Sequence, residues 1–324
     1  MKINKLSFKA ALLSLFIANA SIAAPFNNLI VFGDSLSDIG NNSWLAAIGA
    51  PLTNLDAQAN KYTWANYLSQ KLFNASPYYS ARRNIAPLTD SVVYAYASAD
   101  SSNDYLAADW PNLTPLPIVN GACTSPGLIK DSLGEVNSSC VPGVLKQVDL
   151  YLKDVNYVPS KTTLFIIWAG ANDLFYKLQT GEPPEKIVTT AITNLVQAKN
   201  QLLSKGVSPE QIYVLDLPDL SLTPFAIKNG LKLTQLCLYF NSVLTSLFTN
   251  PSDPTHIPTT HIISMFNLLN TIVQSPDKYN LTNVTDSCVE KGQVPLCKGF
   301  LFYDMKHPTA AIHDAISDYV SKQI

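Results

Sequence analysis

Short apolar runs alternate along this chain with longer segments whose apolar residues recur at helical spacing. A short continuous apolar run is typical of a strand buried on both faces of a parallel sheet, whereas recurrence every three or four residues indicates an amphipathic helix. The runs predict strands at residues 29–32, 92–96, 163–168, 212–215 and 261–264, and the spaced segments predict helices at 64–72, 144–152, 184–202, 233–244 and 312–320. This alternation predicts an α/β fold, a three-layer α/β/α sandwich with about five parallel strands.

The first residues have a different pattern. Lys2 and Lys5 precede an apolar stretch at residues 10–17, and small residues follow up to Ala24. This order is typical of a secretory signal peptide, and the apolar stretch is too short to span a bilayer. We therefore expect a signal peptide over residues 1–23, with cleavage after Ala20 as the alternative, and a single exported domain over residues 24–324.

Two stretches do not follow the strand–helix alternation. Residues 101–142 are rich in proline and contain Cys123 and Cys140, and residues 274–299 contain Cys288 and Cys297. Long segments of this kind inside a compact domain are often ordered, functional loops. In an exported protein, local closure favours the disulfides Cys123–Cys140 and Cys288–Cys297, although other pairings stay open. The fifth cysteine, Cys237, lies in a helical apolar pattern and is predicted to be in the core.

Composition and charge exclude some functions. Charged residues make up 14% of the chain, and the formal net charge is -2. Nucleic-acid binding depends on clustered positive charge, and no such cluster is present. None of the cysteines shows the spacing of zinc ligands. We therefore expect no nucleic-acid partner, no metal and no organic cofactor.

Polar residues directly follow two of the predicted strands. Gly33-Asp34-Ser35 ends the strand at 29–32, so the Ser35 hydroxyl would stand at the carboxyl edge of the sheet, where open parallel sheets bind ligands. Gly170-Ala171-Asn172-Asp173 follows the strand at 163–168, and the Asn172 amide can donate to an oxyanion without bringing a charge. Each motif alone also fits an ordinary turn, because these residue types favour turns.

A third segment supplies an acid–base pair. Asp304 stands three residues before His307, and a carboxylate there can hold one imidazole nitrogen so that the other accepts the Ser35 proton. By itself this pair also fits a solvated loop. The remaining histidines are predicted to be structural: His256 among prolines, His261 in a strand, and His313 on the polar face of the last helix.

Together and in this order, the segments resemble the GDSL, or SGNH, hydrolases. Residues 32–38, read as Phe-Gly-Asp-Ser-Leu-Ser-Asp and followed by Gly40-Asn41, resemble the first block of the family. Gly170-x-Asn172-Asp173 resembles the third block, and Asp304-x-x-His307 the last. The form of the first block resembles the secreted bacterial lipolytic branch, which includes lysophospholipases A, phospholipases A and glycerophospholipid:cholesterol acyltransferases.

The resemblance implies a flavodoxin-like sandwich and assigns the roles. Ser35 would be the nucleophile, His307 the base, Asp304 the group that orients it, and Asn172 an oxyanion donor. Four further residues are expected to support these groups: Asp34, Asp38, Gly170 and Asp173.

One block departs from the family pattern. The second block normally supplies a glycine whose backbone N–H completes the oxyanion hole, but residues 96–100 read Tyr-Ala-Ser-Ala-Asp. Ala99 or Asp100 could still donate a backbone N–H, and Ala99 is our choice. The oxyanion hole is then predicted to consist of the N–H groups of Ser35 and Ala99 and the amide of Asn172.

The substrate is inferred from the branch resemblance and from apolar residues near the expected mouth of the site. Five of these are predicted to line an acyl groove: Leu36, Leu45, Leu106, Trp110 and Leu128. No long amphipathic surface helix is evident, which favours a single-chain lysophospholipid over a bilayer substrate. We expect a monomer that contacts a membrane or micelle peripherally, with acyl transfer to an alcohol such as cholesterol left open. A carbohydrate or small-ester deacetylase, or a non-catalytic binding protein on this scaffold, is the alternative.

Overall fold

The computed structural model describes residues 26–41, 62–80, 89–107, 129–130, 136–137, 140–294 and 296–324. The predicted signal peptide and Cys123 lie outside the described residues. In chain order the strands are β1 (Asn28–Gly33), β2 (Tyr78–Tyr79), β3 (Val92–Val93), β4 (Tyr105–Ala107), β5 (Ile129–Lys130), β6 (Val136–Asn137), β7 (Cys140–Pro142), β8 (Thr163–Trp168), β9 (Ile212–Leu215), β10 (Ile262–Ile263), β11 (Asn283–Ser287) and β12 (Phe300–Phe302). The helices are α1 (Trp64–Phe73), α2 (Val144–Asp154), α3 (Ala171–Lys177), α4 (Pro184–Ser204), α5 (Pro224–Lys228), α6 (Thr234–Phe248), α7 (Met265–Gln274) and α8 (Ala310–Ser321).

In the described part of the chain, the central sheet has six strands in the order β10-β9-β8-β1-β3-β2. All neighbouring strands are parallel, which confirms the predicted sheet. The sixth strand, β2, was not predicted because two residues at a sheet edge leave no periodic signal. The pairing of β3 with β1 also continues past Val93, since Tyr94 and Tyr96 donate their backbone N–H groups to Val31 and Gly33.

Helices cover both faces of this sheet. Ile30 and Phe32 of β1 pack on one face against α2, α3, α4 and α6, and we call this the α4 face. Leu29 and Val31 point to the opposite face and pack against α1, α7 and α8, which we call the α8 face. The alternation along β1 therefore places two hydrophobic layers around a buried sheet, as the predicted sandwich requires. No helix of the described residues is long and apolar enough to cross a membrane.

The two predicted loops contain short strands and a disulfide. In the first, β4 pairs antiparallel with β7 and β5 with β6. In the second, β11 pairs with β12, and Cys288 and Cys297 form the predicted disulfide with their Cα atoms 5.5 Å apart. Cys237 is a buried free thiol in α6, as its apolar pattern predicted. The other predicted disulfide involves Cys123 and so lies outside the described residues.

Candidate active site

The strand register brings the first and third motifs side by side. Gly33 at the end of β1 pairs with Trp168 at the end of β8, so both chains leave the sheet at the same level. Gln147 on α2 fixes this point from the α4 face. Its side-chain oxygen accepts from the Gly33 N–H at 2.9 Å, and its amide donates to the Gly33 carbonyl at 2.8 Å. No motif pointed to Gln147, because its role depends on a contact between distant segments.

Ser35 stands in a tight turn after β1. The backbone N–H groups of Ser37 and Asp38 both donate to the Asp34 carbonyl at 3.0 Å. The Asp34 carboxylate accepts from the Leu36 N–H, also at 3.0 Å. These bonds close the turn around Ser35 and present its side chain to the open edge of the sheet.

The turn brings the Ser35 hydroxyl to His307. Ser35 Oγ lies 2.8 Å from His307 Nε2. His307 Nδ1 lies 2.7 Å and 2.9 Å from the two carboxylate oxygens of Asp304. Because the carboxylate can only accept, Nδ1 carries the proton and Nε2 is the acceptor for the serine hydroxyl. The three predicted residues therefore meet in the geometry of a Ser-His-Asp triad.

The loop that carries Asp304 and His307 is held at both ends. The Tyr303 N–H donates to the His307 carbonyl at 2.8 Å, and Phe302 forms a β-bridge with Pro308. The disulfide loop begins beside it, because the Cys288 N–H donates to the Phe302 carbonyl at 3.0 Å. The disulfide therefore lies next to the acid–base pair in the fold as well as in the sequence.

Asp304 stays ionised in this loop. Burial alone would raise the pKa of its carboxyl, but the neighbouring His307 and the backbone N–H groups of Lys306 and His307 hold the pKa below its ordinary value. Both N–H groups donate to the same carboxylate oxygen at 2.8 Å. A fixed negative charge is what keeps an imidazole in one orientation and tautomer.

Asn172 lies in the first turn of α3. Gly170, just before this helix, has a φ of 116°, and a Cβ there would collide with the Phe240 ring, so glycine is required. Asn172 is buried and donates its amide to the Ala99 carbonyl at 2.8 Å. Since a primary amide has two N–H groups, the second can serve an oxyanion.

The structure corrects the choice of Ala99. Its backbone N–H donates to the Tyr96 carbonyl at 3.0 Å and closes a turn, so it does not face the cleft. Ser98 stands at the left-handed position of that turn, with a φ of 71°, and lines the cleft. A positive φ is uncommon outside glycine, so Ser98 takes a backbone conformation at which glycine would be favoured. The positive φ of Ser98 is visible only in the backbone angles, and a serine in the sequence does not predict it.

The supporting aspartates hold these segments together. Asp38 accepts from the Ala97 N–H at 2.8 Å, which ties the first motif to the second. Asp173 accepts from the Ser101 N–H at 2.9 Å and the Ser101 hydroxyl at 2.8 Å, which ties the second motif to the third. Burial and the nearby Asp100 raise the pKa of Asp173.

Asp34 is the second buried carboxyl of the site. Burial raises its pKa from 3.8 to about 7, against the opposing effects of the Leu36 N–H and His307. The folded protein then keeps a proton between about pH 4 and pH 7 that the unfolded chain releases. The contribution of Asp34 to stability therefore falls as the pH rises through this range.

An Asp34→Asn substitution removes this titration and keeps an oxygen for the Leu36 N–H. We expect the free energy of unfolding of the variant, relative to wild type, to increase from pH 4.5 to pH 7.5, as measured by urea denaturation. Asp286→Asn is the matched control, because the pKa of this partly exposed carboxyl is lowered. Its free energy of unfolding relative to wild type should therefore not change over that pH range. If the free energy of unfolding of Asp34→Asn relative to wild type does not change with pH, this result would contradict a raised pKa of Asp34.

A cleft of about 860 Å³ opens beside Ser35 and has two unlike walls. The wall on the α8 face is aliphatic and comes mainly from α7 and α8. Its residues are Met265, Leu268, Leu269, Ile272, Ile312 and Ile316. Leu36 lines the cleft as predicted. Of the other four residues predicted for an acyl groove, Leu45, Trp110 and Leu128 lie outside the described residues, and of Leu106 only the backbone, in β4, is described.

The wall on the α4 face carries Lys306. Its ammonium lies 4.8 Å, 5.0 Å and 4.7 Å from the ring centroids of Phe175, Tyr176 and Phe225. Each cation–π contact contributes about 0.5–2 kcal/mol depending on solvent access. Burial lowers the pKa of Lys306, and Asp304 opposes this effect. This aromatic cage could not be predicted from the sequence, because its rings come from α3 and α5, which are far from Lys306 along the chain.

The other histidines lie outside the triad. His261 stacks on Tyr213 with the ring centroids 3.9 Å apart, and its Nδ1 forms a 3.0 Å hydrogen bond with the Ile212 carbonyl. The prediction of a polar face for His313 is wrong, because only 1% of this residue is exposed. Burial, and then the charge of His307, lower its pKa to about 3. The buried face of α8 is wider than its apolar pattern indicated.

Comparison with known proteins finds similar chains over nearly the whole sequence. A protein of Pseudomonas putida, described as uncharacterized and encoded in the trpE-trpG intergenic region, is 26% identical over 97% of this chain, which spans about half of that relative's length. The phosphatidylcholine-sterol acyltransferase of Aeromonas hydrophila is 21% identical over 95% of this chain and 92% of its own length. The crystal structure of the acetyl xylan esterase AlAXEase aligns at 10% identity with a TM-score of 0.46, covering 92% of this chain and 99% of that one.

A protein family also matches most of the chain. Residues 29–320 match the family described as GDSL-like Lipase/Acylhydrolase, so the match covers all three motifs and the helices of both layers. The chain belongs to the GDSL-like lipase/acylhydrolase family.

Proposed function

We propose that the protein is a secreted serine esterase that releases fatty acid from lysophospholipids through an acyl-Ser35 intermediate. Membership of the acylhydrolase family supports ester hydrolysis. The observation that carries the lipid substrate is the aliphatic wall beside Ser35, because an acetyl group would leave it unfilled.

In the first step, Ser35 Oγ attacks the ester carbonyl carbon while His307 Nε2 takes the hydroxyl proton. The 2.8 Å contact between these atoms provides the path for that proton. Asp304 stabilises the imidazolium that results. The negative charge on the carbonyl oxygen is stabilised by the backbone N–H groups of Ser35 and Ser98 and by the Asn172 amide, each such donor contributing on the order of 2.7–4 kcal/mol.

In the second half of the reaction, His307 gives its proton to the leaving alcohol, and the acyl group remains on Ser35. Water then attacks the acyl carbonyl while His307 Nε2 accepts its proton. The bond between the acyl carbon and Ser35 Oγ breaks as His307 returns that proton to Oγ, and the fatty acid leaves. An alcohol such as cholesterol in place of water would give acyl transfer, and the name of the Aeromonas hydrophila relative supports testing it.

The lining of the cleft supports a long acyl chain. Its aliphatic side chains offer each buried methylene about 0.8 kcal/mol. The Cys288–Cys297 disulfide supports an oxidising location outside the cytoplasm. Peripheral contact with a membrane or micelle, as a monomer, completes the proposal.

The function is tested by comparing acyl release from lysophosphatidylcholine, diacyl phosphatidylcholine and a short acetyl ester. We expect lysophosphatidylcholine to give the highest kcat/KM. A higher kcat/KM for diacyl phosphatidylcholine would indicate a phospholipase A. Turnover of the acetyl ester alone would indicate a carbohydrate or small-ester deacetylase, and no turnover by folded protein would indicate a binding protein.

Leu269→Trp tests the acyl wall. Leu269 lines the cleft from α7 and is partly exposed, so a larger side chain there extends into the cleft space. Loss of room for two methylenes corresponds to about 1.6 kcal/mol, so we expect kcat/KM for a palmitoyl ester to fall roughly tenfold relative to an acetyl ester. Leu247→Trp, at an exposed position of α6, is the control. An unchanged ratio in the Leu269 variant would place the acyl chain elsewhere.

A further inference from the structure

The two walls of the cleft lie on opposite faces of the sheet. The aliphatic side chains of α7 and α8 belong to the hydrophobic cluster of the α8 face, whereas Phe175, and Phe225 packed against it, belong to that of the α4 face. Ser35 and His307 line the cleft between them. An ester bound with its acyl chain along the aliphatic wall therefore directs its alcohol portion towards Lys306.

Lys306 gives this second wall a positive charge. Its ammonium lines the cleft, and the adjacent residue in the sequence is His307. Among the described residues that line the cleft, Lys306 is the only lysine or arginine. A cation at the alcohol side of an ester favours substrates whose alcohol carries an anion.

The aromatic cage fixes where this charge lies. The rings of Phe175 and Phe225 meet edge to face with centroids 5.5 Å apart, and Lys306 lies within 5.0 Å of all three cage rings. The Phe225 N–H also donates to the Met305 carbonyl at 2.8 Å, which joins α5 to the backbone beside Lys306. A flexible lysine is thereby held in one place before substrate arrives, which lowers the entropic cost of using it.

We propose that Lys306, held by Phe175, Tyr176 and Phe225, forms a binding site for the phosphate of the substrate's alcohol portion and so selects lysophospholipids over uncharged monoacylglycerols. This inference rests on the proposed function and adds the residue that binds the phosphate of the headgroup. Aromatic cages also bind quaternary ammonium groups such as choline, but here the ammonium of Lys306 itself occupies the ring faces. The recognised group is therefore the phosphate, whichever further alcohol is esterified to it.

The test compares two monomeric esters that share an octanoyl chain and differ in the phosphate: 1-octanoyl lysophosphatidate and 1-octanoyl glycerol. The readout is the ratio of their kcat/KM values in wild type, Lys306→Met and Lys306→Arg. We expect wild type to favour the lysophosphatidate, Lys306→Met to lower the ratio by about tenfold or more, and Lys306→Arg to restore part of it. Methionine keeps the apolar stem of the side chain in the cage and removes only the charge.

Lys228→Met is the matched control. Lys228 lies on α5, close to the cage in sequence, and its ammonium pairs with Glu290 at 2.8 Å on the exposed surface. Its removal makes the same change in net charge, so the ratio should stay within about twofold of wild type. An unchanged ratio in Lys306→Met, or an equal change in Lys228→Met, would overturn the proposal.

Failure of the proposed function gives a different result. If wild type turns over neither octanoyl ester but hydrolyses acetyl esters, the lipid function itself is wrong. If both octanoyl esters are good substrates and Lys306→Met slows them equally, the lipid function stands and Lys306 acts only through His307.

Discussion

Ser35→Ala is expected to abolish acyl release, with kcat falling by about 10⁶-fold. Removing the nucleophile of a serine hydrolase leaves only substrate binding and the oxyanion donors, and the loss corresponds to about 8 kcal/mol of transition-state stabilisation. His307 Nε2 then has no hydroxyl proton to accept, since its 2.8 Å partner is gone. The measurement is fatty-acid release from lysophosphatidylcholine over long incubation.

Ser37→Ala is the matched control for this variant. Ser37 lies in the same turn, but its hydroxyl accepts from the Trp64 indole N–H at 3.1 Å and does not contact the triad. We expect Ser37→Ala to unfold more easily, by about 1–3 kcal/mol for an unpaired buried donor, and to keep its activity at moderate temperature. Equal activity of Ser35→Ala and wild type would exclude Ser35 as the nucleophile.

Asp304→Asn is expected to lower kcat by about 10⁴-fold with little change in KM. The carboxylate now accepts from His307 Nδ1 and from the N–H groups of Lys306 and His307. In the variant, the amide oxygen keeps the backbone bonds and its NH₂ group faces Nδ1. That nitrogen must then be unprotonated, so the proton moves to Nε2, which can no longer accept from Ser35.

Steady-state kinetics and thermal unfolding of the same preparation separate this effect from misfolding. An unfolding midpoint close to that of wild type, with the expected loss of kcat, identifies a change in tautomer and charge. Asp286→Asn, at a partly exposed position of β11, should have wild-type kinetics. A loss of less than tenfold in Asp304→Asn would show that this carboxylate does not orient the base.

The sheet and the triad could be predicted because both depend on short sequence signals. Continuous apolar runs identified β1 and β8, and Gly33 and Gly170 identified the ends from which Ser35 and Asn172 project. The spacing of Asp304 and His307 placed an acid beside a base within one loop. Each of these relations is local, so a single sequence is sufficient to reveal it.

The remaining parts of the site depend on backbone angles and distant contacts. Ser98, and not Ala99, faces the cleft because Ser98 takes the positive φ of the turn. A serine in the sequence does not predict a positive φ. Gln147 holds Gly33 across 114 positions of sequence. The cage of Lys306 likewise needs rings from α3 and α5. The aliphatic residues of α7 looked like core, and only the fold shows that several of them face a cleft.

The Ser35 nucleophile and its acyl-chain site are tested together by covalent labelling with alkyl fluorophosphonates, read by intact mass and peptide mapping. We expect one adduct per chain, on Ser35, that forms faster with a hexadecyl reagent than with a methyl reagent because the longer chain fills the aliphatic wall. Folded protein that forms no adduct, forms it on another residue, or reacts faster with the methyl reagent would contradict a Ser35 nucleophile placed beside a long acyl-chain site.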